Sequence, residues 1–224
     1  MPGDFDGAMK TLVIRHLGKK SYLPTWDLMR NFTDNRQPDS DDEIWFLEHD
    51  PVFTQGQNGK PEHILSLSTI PIVQTDRGGQ VTYHGPGQLM VYTLIDLKRK
   101  KLNIRSFVTL LENAVIGLLH HYGVQAYADA KAPGVYIAGE KICSIGLRVR
   151  KGCTYHGIAL NIDMDLSPFQ AINPCGFSSL KMTQLVNFCP EISFNPVIRF
   201  LSDYFTEKLE YTSAHYNADD NRCD

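Results

Sequence analysis

The chain has 224 residues, of which 42% are hydrophobic and 21% are charged, as in a globular domain that folds without disulfides or metal ions. Its formal net charge of -3 argues against nucleic-acid binding as the main function, because nucleic-acid-binding domains are usually strongly basic. The five cysteines are irregularly spaced and form no C-x-x-C pair, so we expect no zinc site and free thiols in a reducing cytoplasm.

The first half of the chain is predicted to contain strands and one helix. Residues 1–10 contain two aspartates and no apolar segment, so we expect no signal peptide. No apolar run approaches the ~18 residues of a membrane span, and we expect no membrane association. Period-two and helical patterns predict strands over 11–17, 43–48 and 72–75, a helix over 22–35 and a polar loop over 37–42.

The rest of the chain, from residue 89 onward, is predicted to contain a strand, a long helix, a meander of antiparallel strands and a C-terminal helix. Apolar residues recur at helical spacing from Ser106 to Tyr122, and Gly123 is a predicted C-cap. Short glycine-containing links between the next apolar runs predict hairpins. The predicted elements are strands over 89–97, 134–138, 141–149 and 154–162, a helix over 196–211 and an unstructured tail over 212–224. This order favours an α+β fold in one domain over 1–224, with a core at about 10–211.

Residues 77–88, R-G-G-Q-V-T-Y-H-G-P-G-Q, form a glycine-rich segment. They lack the spacing of a phosphate-binding loop, and a strand rather than a helix follows them, so phosphate binding at a helix N-terminus is not expected. We expect a loop whose backbone packs against an extended ligand, with Arg77 and His84 as its polar groups. In this role His84 orients a thioester or shuttles a proton. The alternative is a β-turn with a hydrogen-bonded core histidine.

The strand that contains Y-H-G-I-A-L-N, residues 155–161, is a second candidate wall of the same pocket. His156 could face the pocket, and Gly157 and Ala159 alternate on one face, which leaves a flat floor suited to an acyl chain. A plain buried strand explains these residues nearly as well.

Cys175 is the candidate nucleophile. It lies between Pro174 and Gly176, on a tight loop that a substrate can approach. Catalysis needs the thiolate, and a nearby cation increases its fraction at neutral pH. Lys141 enters a predicted strand and could lie along the sheet to supply that charge. A structural loop cysteine and a turn lysine in water are the alternatives.

Two short basic segments are candidate basic patches on the surface. They are residues 98–101 with Arg105, and residues 148–151. The alternative is that each is a solvated turn.

Five sequence segments together resemble the lipoyl(octanoyl) transferase family, and they occur in that family's order. The segments are residues 77–88, 134–149 and 156–161, and N-P-C-G at 173–176 with T-Q-L at 183–185. The resemblance runs from about Leu12 to Tyr204. It implies the fold of lipoate ligases and biotin protein ligases, a mixed, mostly antiparallel β-sheet flanked by helices.

The resemblance also implies an activity and a site. The activity is ping-pong transfer of an octanoyl or lipoyl group through a thioester on Cys175, with Lys141 lowering the pKa of the thiol. The implied substrate-binding residues are Arg77, Gly78, Gly79, Gln80, Val81, Thr82, Tyr83, His84, Ser144, Ile145, Gly146, Gly157, Ile158 and Ala159.

The implied donor is octanoyl-acyl carrier protein. The implied acceptors are the lipoyl domains of 2-oxoacid dehydrogenase complexes and the glycine cleavage H protein. Acyl carrier proteins and lipoyl domains are typically acidic, so the two basic segments are candidate docking surfaces. Thioester exchange is close to isoenergetic and amide formation is downhill, so we expect no ATP, cofactor or metal. We also expect a cytoplasmic monomer that binds no nucleic acid.

Three other functions stay open at this point. An ATP-using lipoate or biotin ligase shares the implied fold, although the sequence shows no basic glycine loop of the kind that biotin ligases carry. An inert module that only binds lipoyl domains would not need both Cys175 and Lys141. A Cys-His hydrolase would pair the cysteine with His84 or His156 and admit water to the acyl-enzyme.

Overall fold

The computed structural model describes residues 11–66, 68–176 and 180–218, with only the backbone of Cys175 and Ala218. The strands are β1 (Thr11–Lys20), β2 (Asp42–His49), β3 (Val52–Gln55), β4 (Ile72–Gln74), β5 (Val81–His84), β6 (Gln88–Leu94), β7 (Tyr127–Ala128), β8 (Gly134–Ile137), β9 (Glu140–Arg150), β10 (Cys153–Asn161) and β11 (Ser213–Ala218). The helices are α1 (Tyr22–Asp34), α2 (Ile104–His121) and α3 (Phe194–Lys208). None of these three described helices is long and apolar enough to cross a membrane.

The main sheet has eight strands in the order β11-β1-β2-β6-β10-β9-β8-β7. Strands β11, β1 and β2 run parallel to one another, and every other neighbouring pair is antiparallel. A smaller sheet has the order β4-β3-β5, with β3 parallel to β4 and antiparallel to β5. The predicted α+β fold with a mixed, mostly antiparallel sheet is confirmed.

The main sheet is covered on both faces, which explains why all of β2 except Glu48 and all of β6 are buried. One face packs against α2 and α3 and forms the largest hydrophobic cluster. On the other face, Met29 of α1 packs with Trp45, Met90 and Tyr92 from the sheet. Full burial of an apolar side chain contributes about 1.5–3 kcal/mol to stability, so both layers hold the sheet in place.

Helix α2 begins at Ile104, two residues before the predicted start, and ends at His121, next to the predicted end. The Asn103 side chain accepts a hydrogen bond from the Ser106 backbone N–H at 2.9 Å, and the Ser106 hydroxyl accepts one from the Asn103 N–H at 3.2 Å. This reciprocal capping satisfies two backbone donors that the helix itself leaves unpaired. Gly123, with φ of +75°, follows the last turn and confirms the predicted C-cap.

Strands β11 and β5 are two of the strands that the sequence pattern does not predict. Residues 213–218, expected in an unstructured tail, form β11, which pairs with β1 from Thr11↔Ser213 onward. An edge strand is held by backbone hydrogen bonds and shows little apolar periodicity, and Tyr216 is exposed. The rest of that predicted tail, 219–224, lies outside the described residues. Strand β5 lies within the glycine-rich segment, where V-T-Y-H pairs with β3.

Part of the basic segment 98–101 belongs to a buried ion cluster. The fully buried Asp42 carboxylate pairs with Arg99 at 2.7 Å and with Arg36 at 2.5 Å. The Tyr211 hydroxyl donates to the same carboxylate at 2.5 Å. Lys100 lies over the Tyr211 ring, with its Nζ 3.3 Å from the ring centroid. Arg99 and Lys100 therefore connect β2 to the end of α3 rather than forming a free docking surface.

The second basic segment is also partly engaged. Arg150 pairs with the Asp34 carboxylate at 2.8 Å, and the Lys151 ammonium donates to the Asp34 carbonyl at 3.0 Å. Both contacts connect the β9–β10 hairpin to the end of α1. Arg105, at the start of α2, is exposed.

Candidate active site

A cavity of about 430 Å³ lies between the glycine-rich segment and strands β6, β9 and β10. This volume is within the range of about 300–1,000 Å³ that is usual for small-molecule sites. All of the predicted substrate-binding residues except Tyr83 line the cavity, as does Lys141. Additional lining residues that sequence reasoning missed are Tyr22, Met90, Tyr92, Ile104, Val108, Lys131, Ala132, Pro133 and Leu147.

Tyr83 lies on the side of β5 away from the cavity. Its ring packs against Phe53 and Phe169, each with a ring-centroid distance of 5.5 Å. Side chains alternate across a strand, so Thr82 and His84 face the cavity while Tyr83 enters the hydrophobic cluster beneath the smaller sheet. The structure therefore does not bring Tyr83 to the site that the family resemblance implies for it.

The backbone of the glycine-rich segment lies directly on strand β9. The Gly78 N–H donates to the Leu147 carbonyl at 2.9 Å. A Cβ atom on Gly146 would lie 3.2 Å from both Arg77 Cδ and the Gly78 oxygen. Glycine at 146 therefore permits the close approach of loop and strand that forms one wall of the cavity.

Arg77 is buried, and its guanidinium holds the glycine-rich segment in shape. It donates to the Thr54 carbonyl at 2.5 Å, the Gln80 carbonyl at 2.8 Å and the Gly78 carbonyl at 2.9 Å. Its Nε also donates to the Thr54 hydroxyl at 3.1 Å. Arg77 thus connects the loop to β3 while its side chain lines the cavity.

His84 is buried with both ring nitrogens hydrogen-bonded. Its Nδ1 lies 2.7 Å from Gln88 Oε1 and its Nε2 lies 3.0 Å from the Thr54 hydroxyl. Burial lowers the pKa of His84 well below its usual value, so the ring is neutral. This network assigns the proton to Nδ1, which donates to Gln88, and leaves Nε2 to accept from Thr54. The geometry favours the hydrogen-bonded core histidine over a proton shuttle.

A chain of hydrogen bonds continues from His84 to the strand that carries Lys141. The Gln88 amide donates to Asn161 Oδ1 at 2.9 Å, and the Asn161 amide donates to the Thr183 carbonyl at 2.9 Å. The Thr183 N–H then donates to the Lys141 carbonyl at 2.9 Å. The glycine-rich segment and the Lys141 backbone are therefore parts of one rigid network.

Lys141 is 1% exposed and lines the cavity. Its ammonium donates to the Pro133 carbonyl at 3.0 Å and lies 5.3 Å from the centre of the Tyr136 ring. The burial of Lys141 agrees with the prediction of a lysine that lies along the sheet. The alternative prediction, a turn lysine in water, is wrong. A cation here is desolvated, which strengthens its electrostatic effect on other groups in the cavity.

The Cys175 backbone lies in a short 3₁₀ turn, Pro174–Gly176, while its side chain is outside the described part of the structure. The Gly176 N–H donates to the Asn173 carbonyl at 2.9 Å. Gly176 has a φ of +83°, and a Cβ atom there would lie 2.5 Å from the Gln80 amide nitrogen. Glycine is needed for this conformation and this close approach, and the turn adjoins the glycine-rich wall of the cavity.

A second polar cluster, centred on Asp76, was not predicted. Asp76 Oδ1 accepts from His156 Nε2 and from the Trp26 indole, each at 3.0 Å, and its other oxygen accepts from the Tyr155 hydroxyl. Partial burial opposes ionisation, but these hydrogen bonds lower the pKa of Asp76 to about 2. His156 adopts a φ of +60°. The one available signal was that Asp76 directly precedes the glycine-rich segment.

The Asp76–His156 pair lies at the opposite end of the cavity from Lys141. His156 is paired across the sheet with Leu147, which is six residues from Lys141 on β9. A strand rises about 3.3 Å per residue, so the two positions are roughly 20 Å apart. His156 is therefore too far away to act on a reacting group held beside Lys141.

His49 provides a test of how the buried histidines affect stability. Its Nδ1 lies 2.7 Å from the Lys20 carbonyl and its Nε2 lies 2.7 Å from the Tyr92 hydroxyl. Burial lowers the pKa of His49 to about 4. The folded state then binds fewer protons than the unfolded state. The contribution of neutral His49 to the unfolding free energy is therefore complete above about pH 6.5 and is lost as pH falls towards 4.

We expect the unfolding free energy to fall by about 2 kcal/mol between pH 7 and pH 5 because of His49. Urea denaturation at both pH values measures the change. His49→Gln is the control, because glutamine can retain hydrogen bonds but does not titrate. The same pH dependence in both proteins would show that His49 does not contribute.

Comparison with known proteins supports the resemblance. Residues 21–206 match the family described as Lipoyl protein ligase A/B catalytic domain. The chain is 60% identical over 175 residues to the octanoyltransferase of Shewanella frigidimarina, covering 78% of this chain and 81% of that protein. It is 52% identical over 208 residues to the octanoyltransferase of Vibrio cholerae serotype O1 (strain ATCC 39541), covering 93% and 96%.

Solved structures share the fold at low sequence identity. Lipoate-protein ligase A bound with ATP matches with a TM-score of 0.74 and 18% identity, over 95% of this chain and 90% of that one. Biotin protein ligase from Aquifex aeolicus matches with a TM-score of 0.52 and 12% identity, over 88% and 72%. These similarities concern the fold, whereas the family match covers most of the sequence. The chain belongs to the Lipoyl protein ligase A/B catalytic domain family.

Proposed function

We propose that this protein is an octanoyltransferase that transfers an octanoyl group to the lysine of lipoyl domains during protein lipoylation. The observation that carries the proposal is the buried ammonium of Lys141, which lines the cavity. The backbone turn that holds Cys175 adjoins the same cavity through Gly176 and Gln80. A desolvated cation beside a loop thiol is the arrangement that promotes thiolate chemistry.

The proposed reaction has two steps. The Cys175 thiolate attacks the thioester carbonyl of octanoyl-acyl carrier protein, the carbon–sulfur bond to the carrier breaks, and the carrier thiol leaves. The amine of the acceptor lysine then attacks the octanoyl-cysteine, forms an amide and returns the Cys175 thiol. The donor thioester supplies the driving force, so neither step consumes ATP.

Two of the remaining alternatives have less support from the site. A Cys-His hydrolase needs a free histidine nitrogen near the thiol, but both nitrogens of His84 are hydrogen-bonded and His156 lies at the far end of the cavity. An inert lipoyl-domain-binding module gives no reason to bury an ammonium in a cavity. We propose lipoyl domains of 2-oxoacid dehydrogenase complexes and the glycine cleavage H protein as acceptors, and a cytoplasmic monomer as the working form.

A direct experiment separates a transferase from an ATP-using ligase. The protein is incubated with octanoyl-acyl carrier protein without ATP, and separately with octanoate, ATP and Mg²⁺, and intact mass is measured. We expect an adduct of about +126 Da with the thioester alone, removed by neutral hydroxylamine as a thioester should be. Product formation that depends on ATP, with no adduct from the carrier, would replace the proposal with a ligase.

The floor of the cavity should determine the length of the acyl chain that the protein accepts. Ala159 lines the cavity and packs with Met90 and Tyr92, so Ala159→Leu should occupy space that the octanoyl chain needs. A difference of one methylene in an apolar pocket corresponds to about 1–3 kcal/mol. We expect kcat/KM for octanoyl carrier to fall about 10-fold or more, and preference to shift towards hexanoyl carrier.

Competition between hexanoyl and octanoyl carriers measures this shift. Ala128→Leu is the matched control, because Ala128 is an exposed strand alanine outside the cavity lining. If Ala159→Leu and Ala128→Leu show the same chain-length preference, the acyl chain does not lie on this floor.

A further inference from the structure

Glu112 is a buried carboxylate for which the proposed reaction has no use. It lies on the inner face of α2, where its buried helix neighbours are all apolar, and it is 8% exposed. Its Oε1 accepts a hydrogen bond from the Gly134 N–H at 3.1 Å. A carboxylate in such surroundings is costly to bury, so its contact with Gly134 requires an explanation.

The segment that Glu112 holds is the one that contacts Lys141. The Pro133 carbonyl accepts from the Lys141 ammonium. Gly134 has a φ of +141°, and a Cβ atom there would lie 2.5 Å from Lys141 Cε and 3.0 Å from Nζ. One dipeptide, Pro133–Gly134, therefore connects the carboxylate on α2 with the ammonium in the cavity.

The two charges also act on a third group near the segment. Burial raises the pKa of the Cys143 thiol, the Lys141 charge lowers it and the Glu112 charge raises it, so both charges act on one buried atom. The Tyr136 hydroxyl donates to the Ala132 carbonyl at 2.6 Å, which anchors the other end of the segment. The titratable groups around the segment thus include Glu112, Lys141, Cys143 and Tyr136, and Lys131 lines the cavity two residues before Pro133.

We propose that Glu112 is a positioning residue that holds Pro133–Gly134 in place through the Gly134 N–H, so that the Pro133 carbonyl directs the Lys141 ammonium towards Cys175. This inference rests on the role of Lys141 in the proposed function. It assigns a function to a helix that carries none of the family's sequence segments.

The pH dependence of the Cys175 alkylation rate tests this role. The two ways in which Glu112 could act shift the midpoint of that pH profile in opposite directions. Loss of its negative charge alone favours the thiolate and lowers the midpoint pH. Loss of positioning moves the ammonium away and raises the midpoint. We expect Glu112→Ala to raise the midpoint by roughly 0.5–1 pH unit, as measured on the Cys175 peptide by mass spectrometry.

Two conservative variants separate position from charge. Glu112→Asp keeps the charge but is too short to reach Gly134, and we expect it to raise the midpoint as Glu112→Ala does. Glu112→Gln keeps an oxygen acceptor for the Gly134 N–H, and we expect no rise. An unchanged or lowered midpoint in Glu112→Asp overturns the inference. Because this variant retains the charge, it also serves as the test if Glu112→Ala fails to fold.

Lys141→Ala distinguishes failure of this inference from failure of the proposed function. If Lys141→Ala raises the midpoint while Glu112→Asp does not, only the inference about Glu112 is wrong. If Lys141→Ala leaves the midpoint unchanged, the proposed role of Lys141 fails as well. Adding Glu112→Ala to Lys141→Ala should cause no further rise, since Glu112 acts through Lys141.

Discussion

Replacing Cys175 by alanine should lower octanoyl transfer by at least about 1,000-fold and remove the acyl adduct. Without the thiol, the acceptor amine has to attack the carrier thioester directly, with no covalent intermediate to divide the reaction into two easier steps. Removal of a nucleophile commonly leaves only the rate that substrate binding provides. Steady-state transfer to a lipoyl domain and intact mass after incubation with octanoyl carrier are the two measurements.

Cys189→Ala is the matched control for this variant. Cys189 is a free and partly exposed cysteine outside the cavity lining described above, so its replacement should leave both adduct and transfer within about twofold of wild type. Transfer that survives Cys175→Ala without ATP would show that the proposed nucleophile is wrong. Loss of the adduct in Cys189→Ala instead would move the acylation site.

Lys141→Ala is expected to give the second largest loss, about 100-fold in adduct formation at pH 7. A nearby opposite charge lowers a pKa by about 1–3 units, and each unit changes the thiolate fraction about tenfold when the thiol is mainly protonated. Without the ammonium, the pKa of the thiol rises, so the rate should recover as pH is raised. Intact mass measured at fixed reaction times between pH 6.5 and pH 9.5 gives the pH profile of adduct formation.

Lys181→Ala is the control for removal of a positive charge nearby. Lys181 is exposed, and it is its backbone carbonyl that accepts the Lys141 N–H at 2.8 Å. The substitution removes only the side chain and leaves that backbone hydrogen bond in place. The pH profile of adduct formation should therefore be the same as in wild type. Equal losses in both variants would indicate a general charge effect rather than a specific role for Lys141.

Much of the site could be predicted because its residues occur in contiguous motifs. The glycine-rich segment, Ser144–Gly146 and Gly157–Ala159 are adjacent in the fold because β9 and β10 form one hairpin and the segment packs on it. The sequence left open whether Lys141 is buried. Burial of Lys141 depends on Pro133, which is near it in the sequence, and on the Lys181–Thr183 segment, which is distant in the sequence.

The residues that could not be predicted depend on register and on tertiary contacts. Tyr83 belongs to the motif, but strand alternation turns it away from the cavity. Asp76 has no periodic pattern, and only the fold brings Trp26, Tyr155 and His156 to its carboxylate. His84 is neutral because burial and two hydrogen-bond partners fix its tautomer. Apart from strand alternation and the His84–Gln88 hydrogen bond, these contacts join residues that are far apart in the sequence.

Strand β11 has a consequence for self-association. A β-sheet edge with unpaired backbone groups can recruit a strand from another molecule, and β1 would present such an edge without Ser213–Ala218 beside it. At about 4.8 Å per strand, β11 lies roughly 24 Å across the sheet from β9. A chain shortened before Ser213 should therefore become prone to oligomerise through β1, while the cavity beside β9 remains intact.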